Sequence, residues 1–355
     1  MKQIDLTKII RSHLHEVTPY SSARDDFKGE AKVFLDANEN PFDTGFNRYP
    51  DPHQKEIKEL LCKIKKVSTE SIFLGNGSDE AIDLLMRAYC EPGKDNIIIL
   101  PPTYGMYKVS ARINNIGTIE VPLDSNFDLD VNRIISFITP RTKMIFLCSP
   151  NNPTGNSLSR ERIETLLNEF DGLVVVDEAY IDFADEESLT TWLHKYQNLV
   201  VLQTLSKAWG MASIRLGLCL AHPEIIGLLD TIKPPYNISG PSQQQAKFAV
   251  NHPAQFDERV KVIKLQREFL SKELMRLKIV LKVFPSNANF LLVKAINANS
   301  IYQYLTNKGI IVRNRSKEPG CENCLRITVG TADENKKLIQ ALRSFHFSNQ
   351  LDYVN

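Results

Sequence analysis

Residues 199–217 read LVVLQTLSKAWGMASIRLG. An apolar run ends in Gln203 and Thr204, Lys207 follows at once, and a small, mostly uncharged segment leads to Arg215. A six-residue run of this kind, closed by a polar turn, predicts a strand covered on both faces. Similar runs stand on either side of it: IIIL (97–100), TIEVPL (118–123), MIFLCS (144–149), LVVVDEAY (173–180) and LGLCLA (216–221). Helical patterns lie between several of them, in SDEAIDLLMRAYC (78–90), SRERIETLLNEF (159–170) and EESLTTWLHKY (186–196). Strand and helix in alternation predict an α/β layer with a mainly parallel sheet from about residue 53 to 240.

Beyond about residue 240 the pattern changes. A charged amphipathic helix over roughly 254–277 precedes IVLKVF, NFLLVK, a helix near 299–308, IIVR, CLRITVG and a last helix near 333–345. This predicts a smaller α+β domain. Residues 1–30 read as a partly helical arm that ends in a Pro19-Tyr20 turn. The expected division is an arm with part of the small domain over 1–40, a large domain over 41–240 and a small domain over 241–355. The cleft between the two domains is where a ligand is expected.

Composition narrows the function classes. The 355 residues carry 43 basic and 42 acidic side chains, a net charge of +1, so no global field draws in nucleic acid or an anionic membrane. No stretch approaches the ~18 apolar residues of a membrane span, and the charged N-terminus has no signal-peptide core. Six cysteines without a paired framework suit a reduced, cytoplasmic protein. Cys321 and Cys324 form one CxxC without a second pair or a nearby histidine, which predicts a turn beside a strand rather than a metal site. The seven histidines show no metal-ligand spacing.

In open α/β sheets ligands bind beyond the carboxyl ends of the strands, and several polar groups fall there. SPNNPTG (149–155) follows one run, Asp177, Glu178 and Tyr180 close the next, and Thr204, Ser206 and Lys207 close the one after. Tyr104 follows IIIL by way of PPT. A lysine desolvated beside a cation such as Arg215 favours its free amine, which is what a Schiff-base lysine requires. A buried Asp177 needs a cationic partner, and a pyridinium nitrogen is one. Tyr180 and Asn152 are placed to donate to a phenolate oxygen, and Tyr104 to stack on a ring. Arg215, Thr204, Ser206 and the turn GNGSDE (75–80) at a helix start suit a phosphate dianion. Pyridoxal 5′-phosphate combines all of these features.

The ordered series Gly77-Ser78-Asp79, Tyr104, Asn152-Pro153-Thr154-Gly155, Asp177-Glu178-Ala179-Tyr180, Ser206-Lys207 and Arg215 resembles the fold-type I pyridoxal-phosphate aminotransferases over nearly the whole chain. LDANENP (35–41), RYPDP (48–52), DEAYIDF (177–183), TLSKAWGMASIRLG (204–217) and LRITVGT (325–331) are most similar to the histidinol-phosphate aminotransferase family. In that family phenylalanine or proline is common where Trp209 and Gly210 stand. The resemblance implies a seven-stranded, mainly parallel sheet between helices. It implies that Lys207 carries the cofactor as an aldimine and shuttles protons, and that Asp177 pairs with the pyridine nitrogen. Tyr180 and Asn152 would hold the 3′-oxygen and Tyr104 would stack on the ring. Ser78 and Asp79, through backbone groups, would hold the phosphate with Thr204, Ser206 and Arg215. Tyr49 would reach that phosphate from a neighbouring subunit, which makes the active unit a homodimer. Tyr20, Asn38, Arg313 and Arg326 match positions that meet the substrate phosphate or the glutamate carboxylates.

The implied reaction is transamination of L-histidinol phosphate with 2-oxoglutarate, giving imidazole acetol phosphate and L-glutamate in histidine biosynthesis. Neighbouring readings are an aromatic amino acid aminotransferase and a phosphothreonine decarboxylase. A nicotinamide dehydrogenase is disfavoured, because Glu80 stands where the third glycine after Gly75 and Gly77 belongs. A DNA-binding regulator with a retired site would carry an added basic module, and none is evident.

Overall fold

The computed structural model describes residues 5–27, 29 and 31–345. After short 3-10 turns and the single-turn helix α1 (Ala23–Asp26) come α2 (Lys55–Lys65), β1 (Ile72–Asn76) and α3 (Ser78–Tyr89). Then follow β2 (Asn96–Ile99), α4 (Met106–Ile113), β3 (Gly117–Glu120), α5 (Val131–Ser136) and β4 (Thr142–Cys148). Next are α6 (Arg160–Glu169), β5 (Leu173–Asp177), β6 (Leu199–Thr204) and β7 (Leu216–Ala221). These seven strands form one sheet in the order β1-β7-β6-β5-β4-β2-β3. Only β7 runs against the others, pairing antiparallel with both β1 and β6.

The unbroken apolar runs owe their composition to burial on both faces. Along β5, Val174 and Val176 enter one core while Leu173 and Val175 enter the core on the opposite face. Strand β6 divides in the same way, with Leu199 and Val201 on one side and Val200 and Leu202 on the other. That two-residue alternation is the pleat itself. The seven-stranded, mainly parallel sheet expected from the sequence is present.

Helices α7 (Pro223–Ile232), α8 (Gly240–Val250) and the long α9 (Pro253–Met275) lead to a second sheet. Its elements are β8 (Val280–Val283), β9 (Phe290–Ala295), α10 (Ala298–Asn307), β10 (Arg313–Asn314), β11 (Cys324–Thr328) and α11 (Ala332–Arg343). The strands order as β10-β11-β9-β8, all antiparallel. One face carries Leu291, Val293, Leu325 and Ile327 into a core with Leu270, Leu274, Leu338 and Leu342. The other face meets the large sheet's layer, where Phe290 packs with Tyr180, Phe183 and Val260, and Leu292 and Cys324 pack with Phe127.

The helix expected over 186–196 is absent. Only a 3-10 turn spans Leu189–Trp192. The Glu178 carboxylate accepts from Leu189 N at 2.7 Å and from Ser188 Oγ at 2.5 Å, and this tertiary anchor fixes the segment as a turn against β5. The CxxC is a turn, with Cys324 N donating to Cys321 O at 2.9 Å. Both thiols are buried, and burial pushes them up to about 12 at Cys321 and about 11 at Cys324. No group of three or more potential metal ligands occurs, and no helix is long and apolar enough to cross a membrane, among the described residues.

Candidate active site

Strand polarity gathers the site. Cys148 and Asp177 are register partners at the carboxyl ends of β4 and β5, and Thr204 closes β6. Because β7 runs in the opposite direction, its first residue Leu216 pairs with Asn76 at the end of β1. Arg215 therefore arrives at the same sheet edge as Asp177 although it precedes its strand. It does so with a left-handed backbone, φ 54°, and its carbonyl accepts from Gly77 N at 2.8 Å. Left-handed non-glycine residues persist where the surroundings over-determine them.

One cavity is lined by Ser78, Asp79, Tyr104, Cys148, Asn152, Asp177, Tyr180, Thr204, Ser206, Lys207 and Arg215, with Gly77 and Ala179. Its floor is the amino end of α3. Gly77 caps that helix with no side-chain hydrogen bond, so the first backbone N–H groups face outward as an anion seat. The seat is shaped by close backbone approach. A Cβ on Gly217 would lie 2.1 Å from Ser78 N, and one on Gly77 would lie 2.8 Å from Arg215 Nη2. Arg215 Nη2 also lies 3.6 Å from Asp79 Oδ2. Thr204 Oγ1 accepts from Ser206 N at 3.1 Å, which sets the turn that presents Lys207.

Asp177 is only 2% exposed. Burial raises its carboxyl to about 6, against the opposing donation of Tyr107 Oη at 2.7 Å and Ala179 N at 3.0 Å. A carboxylate so placed, facing a cavity and bonded to no cationic side chain among the described residues, suits a cationic ligand atom. Lys207 has its ammonium disfavoured, first by burial and then by the Arg326 guanidinium, with Arg215 a smaller contributor. The cation that most affects the lysine therefore comes from the small sheet and not, as the sequence suggests, from Arg215. Lys207 Nζ stands 5.8 Å from the centre of the Tyr180 ring.

Asn152 joins the two layers. Its Oδ1 accepts from Arg326 Nη1 at 2.6 Å, and its Nδ2 lies 3.5 Å from Tyr180 Oη. The neighbouring Asn151 is committed to the loop, donating to Pro102 O and Thr154 Oγ1. Tyr104 Oη donates to Asp79 Oδ1 at 3.1 Å. Arg313 is an exposed register partner of Arg326. Tyr20, Asn38 and Tyr49 are not among the residues around the Lys207 cavity. Tyr20 is 70% exposed, Asn38 lies in a loop with φ 55°, and Tyr49 stacks on Tyr236 with ring centres 4.5 Å apart.

One buried group escaped the sequence reading, and a second, Glu178, was placed at the strand end without a role. Tyr107, three residues after Tyr104, reaches Asp177 from α4 while its ring stacks on Phe146. Its place in the first turn of the helix that follows Tyr104 was the available signal. Glu178 anchors the 188–189 turn and accepts from Gln203 Nε2 at 2.9 Å. The sequence places it beside Asp177 at the strand end, and the anchoring role comes from the fold.

The profile of the family described as "Aminotransferase class I and II" matches residues 27–342. A histidinol-phosphate aminotransferase of Cytophaga hutchinsonii is 52% identical over 344 residues, covering 96% of this chain and 99% of that protein. Among solved structures, the histidinol-phosphate aminotransferase from Clostridium acetobutylicum superposes with a TM-score of 0.78 at 25% identity, over 84% of this chain and 90% of that one. The enzyme of that name from Sinorhizobium meliloti, solved in complex with pyridoxal-5′-phosphate, shares the fold at a TM-score of 0.76 and 23% identity, over 83% and 82% of the two chains. The chain belongs to the class I and II aminotransferase family, beside its histidinol-phosphate aminotransferase members.

Proposed function

We propose that the protein transfers the amino group of L-histidinol phosphate to 2-oxoglutarate, giving imidazole acetol phosphate and L-glutamate, as a step in histidine biosynthesis. The names of relatives at 52% identity over nearly the full length support this substrate. The observation that carries the chemistry is the convergence of Lys207, Asp177 and the open amino end of α3 on one cavity.

These residues fit pyridoxal 5′-phosphate. Bound there, the group supplies an electron sink for transfer of an amino nitrogen. Asp177, buried and bonded to no cation among the described residues, is suited to pair with the ring nitrogen. Ser78 and Asp79 backbone groups, Thr204, Ser206 and Arg215 would hold the phosphate. Tyr104 would cover the ring, and Tyr180 with Asn152 would hold the 3′-oxygen. Lys207 is the residue of covalent attachment. Its lowered proton affinity suits an amine that attacks a carbonyl and then moves a proton at the substrate carbon bearing the nitrogen. Arg326 and Arg313, with Tyr20 and Asn38, would meet the anionic ends of the two substrates.

The active unit in this reading is a homodimer, with Tyr49 reaching the partner's cofactor phosphate. Support comes from the segment around it, where Val33, Leu35, Phe42 and Phe46 are all at least 73% exposed. An apolar strip of that kind marks a surface that another chain covers. The arm over 1–40, the large domain over 41–240 and the small domain over 241–355 are parts of the same reading. So is a cytoplasmic location, which suits six unpaired cysteines.

The deciding experiment is a visible absorption titration of the purified protein. The cofactor band should bleach on addition of L-histidinol phosphate and return with 2-oxoglutarate. A band that ignores histidinol phosphate rejects the substrate, and no band after adding pyridoxal phosphate rejects the cofactor.

A further inference from the structure

Arg313 and Arg326 are register partners on the small sheet, and the ladder continues one step further, with Arg315 N donating to Cys324 O at 2.9 Å. Residues two apart on a strand share a face. Arg313 and Arg326 share the face that also carries Leu292 and Cys324, and Arg315, one residue past the strand, continues the ladder beside them. That face packs against Phe127 of the large layer, and Arg326 crosses from it to Asn152 beside the cavity. Like Arg326, and unlike the exposed Arg313, Arg315 is partly buried. Its side chain is only 21% exposed and its buried Nε has no hydrogen-bond partner among the described residues. Its one carboxylate contact among the described residues is a long one, Nη1 to Glu318 Oε1 at 3.4 Å. Its charge is felt at the site, weakening proton binding by Arg326 and Tyr180, although burial is the larger influence on the first and opposes it on the second. Three neighbouring guanidiniums with one carboxylate contact among the described residues form an under-neutralised group, and a buried N–H without a partner is costly. An entering doubly charged anion relieves both.

We propose that Arg315 is a specificity-determining residue of the substrate site, supplying the third guanidinium that makes the site prefer an amine whose far end is a phosphate dianion over the same amine without it. Glu318 competes with that anion for Arg315. The proposal rests on the transaminase reading above, and its test keeps the two separable. The holoenzyme is assayed with L-histidinol phosphate and with L-histidinol, and kcat/KM is compared for wild type, Arg315→Gln and Glu318→Gln.

In wild type the phosphate ester should be strongly preferred. Arg315→Gln should reduce that preference about tenfold, mainly through KM, the scale of one hydrogen bond to a charged group. Glu318→Gln should move the other way and lower KM for the phosphate ester. Inorganic phosphate, as a competitive inhibitor against L-glutamate, should weaken in the first variant and strengthen in the second. An unchanged preference in Arg315→Gln, or a Glu318→Gln variant that shifts in the same direction as Arg315→Gln, overturns the proposal. If wild type turns over neither amine, the substrate reading itself fails, and phosphate inhibition across the variants still decides the role of Arg315.

Discussion

Tyr107 Oη donates to Asp177 Oδ2 at 2.7 Å, and both residues are almost wholly buried. This bond opposes the burial that raises Asp177. Tyr107→Phe removes the donor and leaves the ring packing on Phe146 and Tyr104 in place. The Asp177 carboxyl should then titrate above about 6. The apoprotein's affinity for pyridoxal phosphate at neutral pH should fall about tenfold, the scale of a hydrogen bond to a charged group. Titrating apoprotein with cofactor across pH checks this. A Tyr107→Phe variant with wild-type affinity and pH dependence would show that the bond does not tune the aspartate.

Asp177 trades stability for function. Its folded carboxyl titrates at about 6 against an ordinary 3.8, so the folded chain holds the proton more tightly than the unfolded one. The sign follows: the ionised group destabilises the apoprotein above about pH 6, the penalty shrinks as pH falls, and it is gone below about pH 4. The full penalty is about 3 kcal/mol. Asp177→Asn should therefore melt several degrees higher than wild type as apoprotein at pH 7.5, and the gap should close near pH 4. Cofactor binding should weaken in the same variant. A lower melting temperature at pH 7.5 would count against this account of the site.

Arg326 acts on Lys207 across the cleft. After burial it is the largest influence holding the ammonium down. Arg326→Gln removes that charge, so Lys207 should keep its proton to higher pH. Capture of pyridoxal phosphate by the apoprotein should slow at neutral pH and recover in alkali, with its pH profile displaced upward. Stopped-flow absorbance of the reconstitution, with no substrate present, reads this separately from the loss of substrate binding. An undisplaced profile would assign the lysine's character to burial alone.

Much of this was legible because strand ends are where the pattern of sequence breaks. LVVVD and LVVLQT are covered on both faces, so Asp177 and Lys207 stood out as polar groups delivered by apolar runs. Glu178 overrode local pattern by pinning Leu189 N, which is why a helix-like stretch became a turn. Tyr107 sits on an amphipathic helix, where an aromatic reads as core until the packing of α4 shows its hydroxyl meeting Asp177. Arg315 lies just past a two-residue strand, too short to announce a face. Tyr20, Asn38 and Tyr49 lie in a segment with little regular structure, where no strand or helix pattern fixes where a side chain goes.

Gly217 is required by the closeness of β7 to the start of α3. Its Cβ would fall 2.1 Å from Ser78 N and 2.3 Å from the Gly77 carbonyl carbon, both backbone atoms that cannot swing away. Gly217→Ala should push the anion seat out of register. Overpacking of this kind costs ~1–3 kcal/mol or more in stability. The specific sign is a lost preference for pyridoxal phosphate over unphosphorylated pyridoxal, measured as the ratio of their dissociation constants. A destabilised variant that keeps the wild-type ratio would place the phosphate elsewhere.

Shared active sites make a prediction about mixtures. If Tyr49 serves the partner's cavity, a Lys207→Ala chain still offers a sound Tyr49, and a Tyr49→Ala chain still offers a sound Lys207. Lys207→Ala homodimers should show no turnover, and Tyr49→Ala homodimers about tenfold less than wild type, the scale of one lost bond to a charged phosphate. Co-expressed chains should form heterodimers in which one of the two sites is whole. Turnover should then exceed the sum of the separate variants, approaching about a quarter of wild type for random C2 pairing. Native mass spectrometry verifies that heterodimers form, as the species intermediate in mass between the two homodimers near twice the 40.3 kDa chain mass. Heterodimers that form without added turnover would place Tyr49 in its own chain's surface, held by its stack on Tyr236, and the site would be complete within one chain.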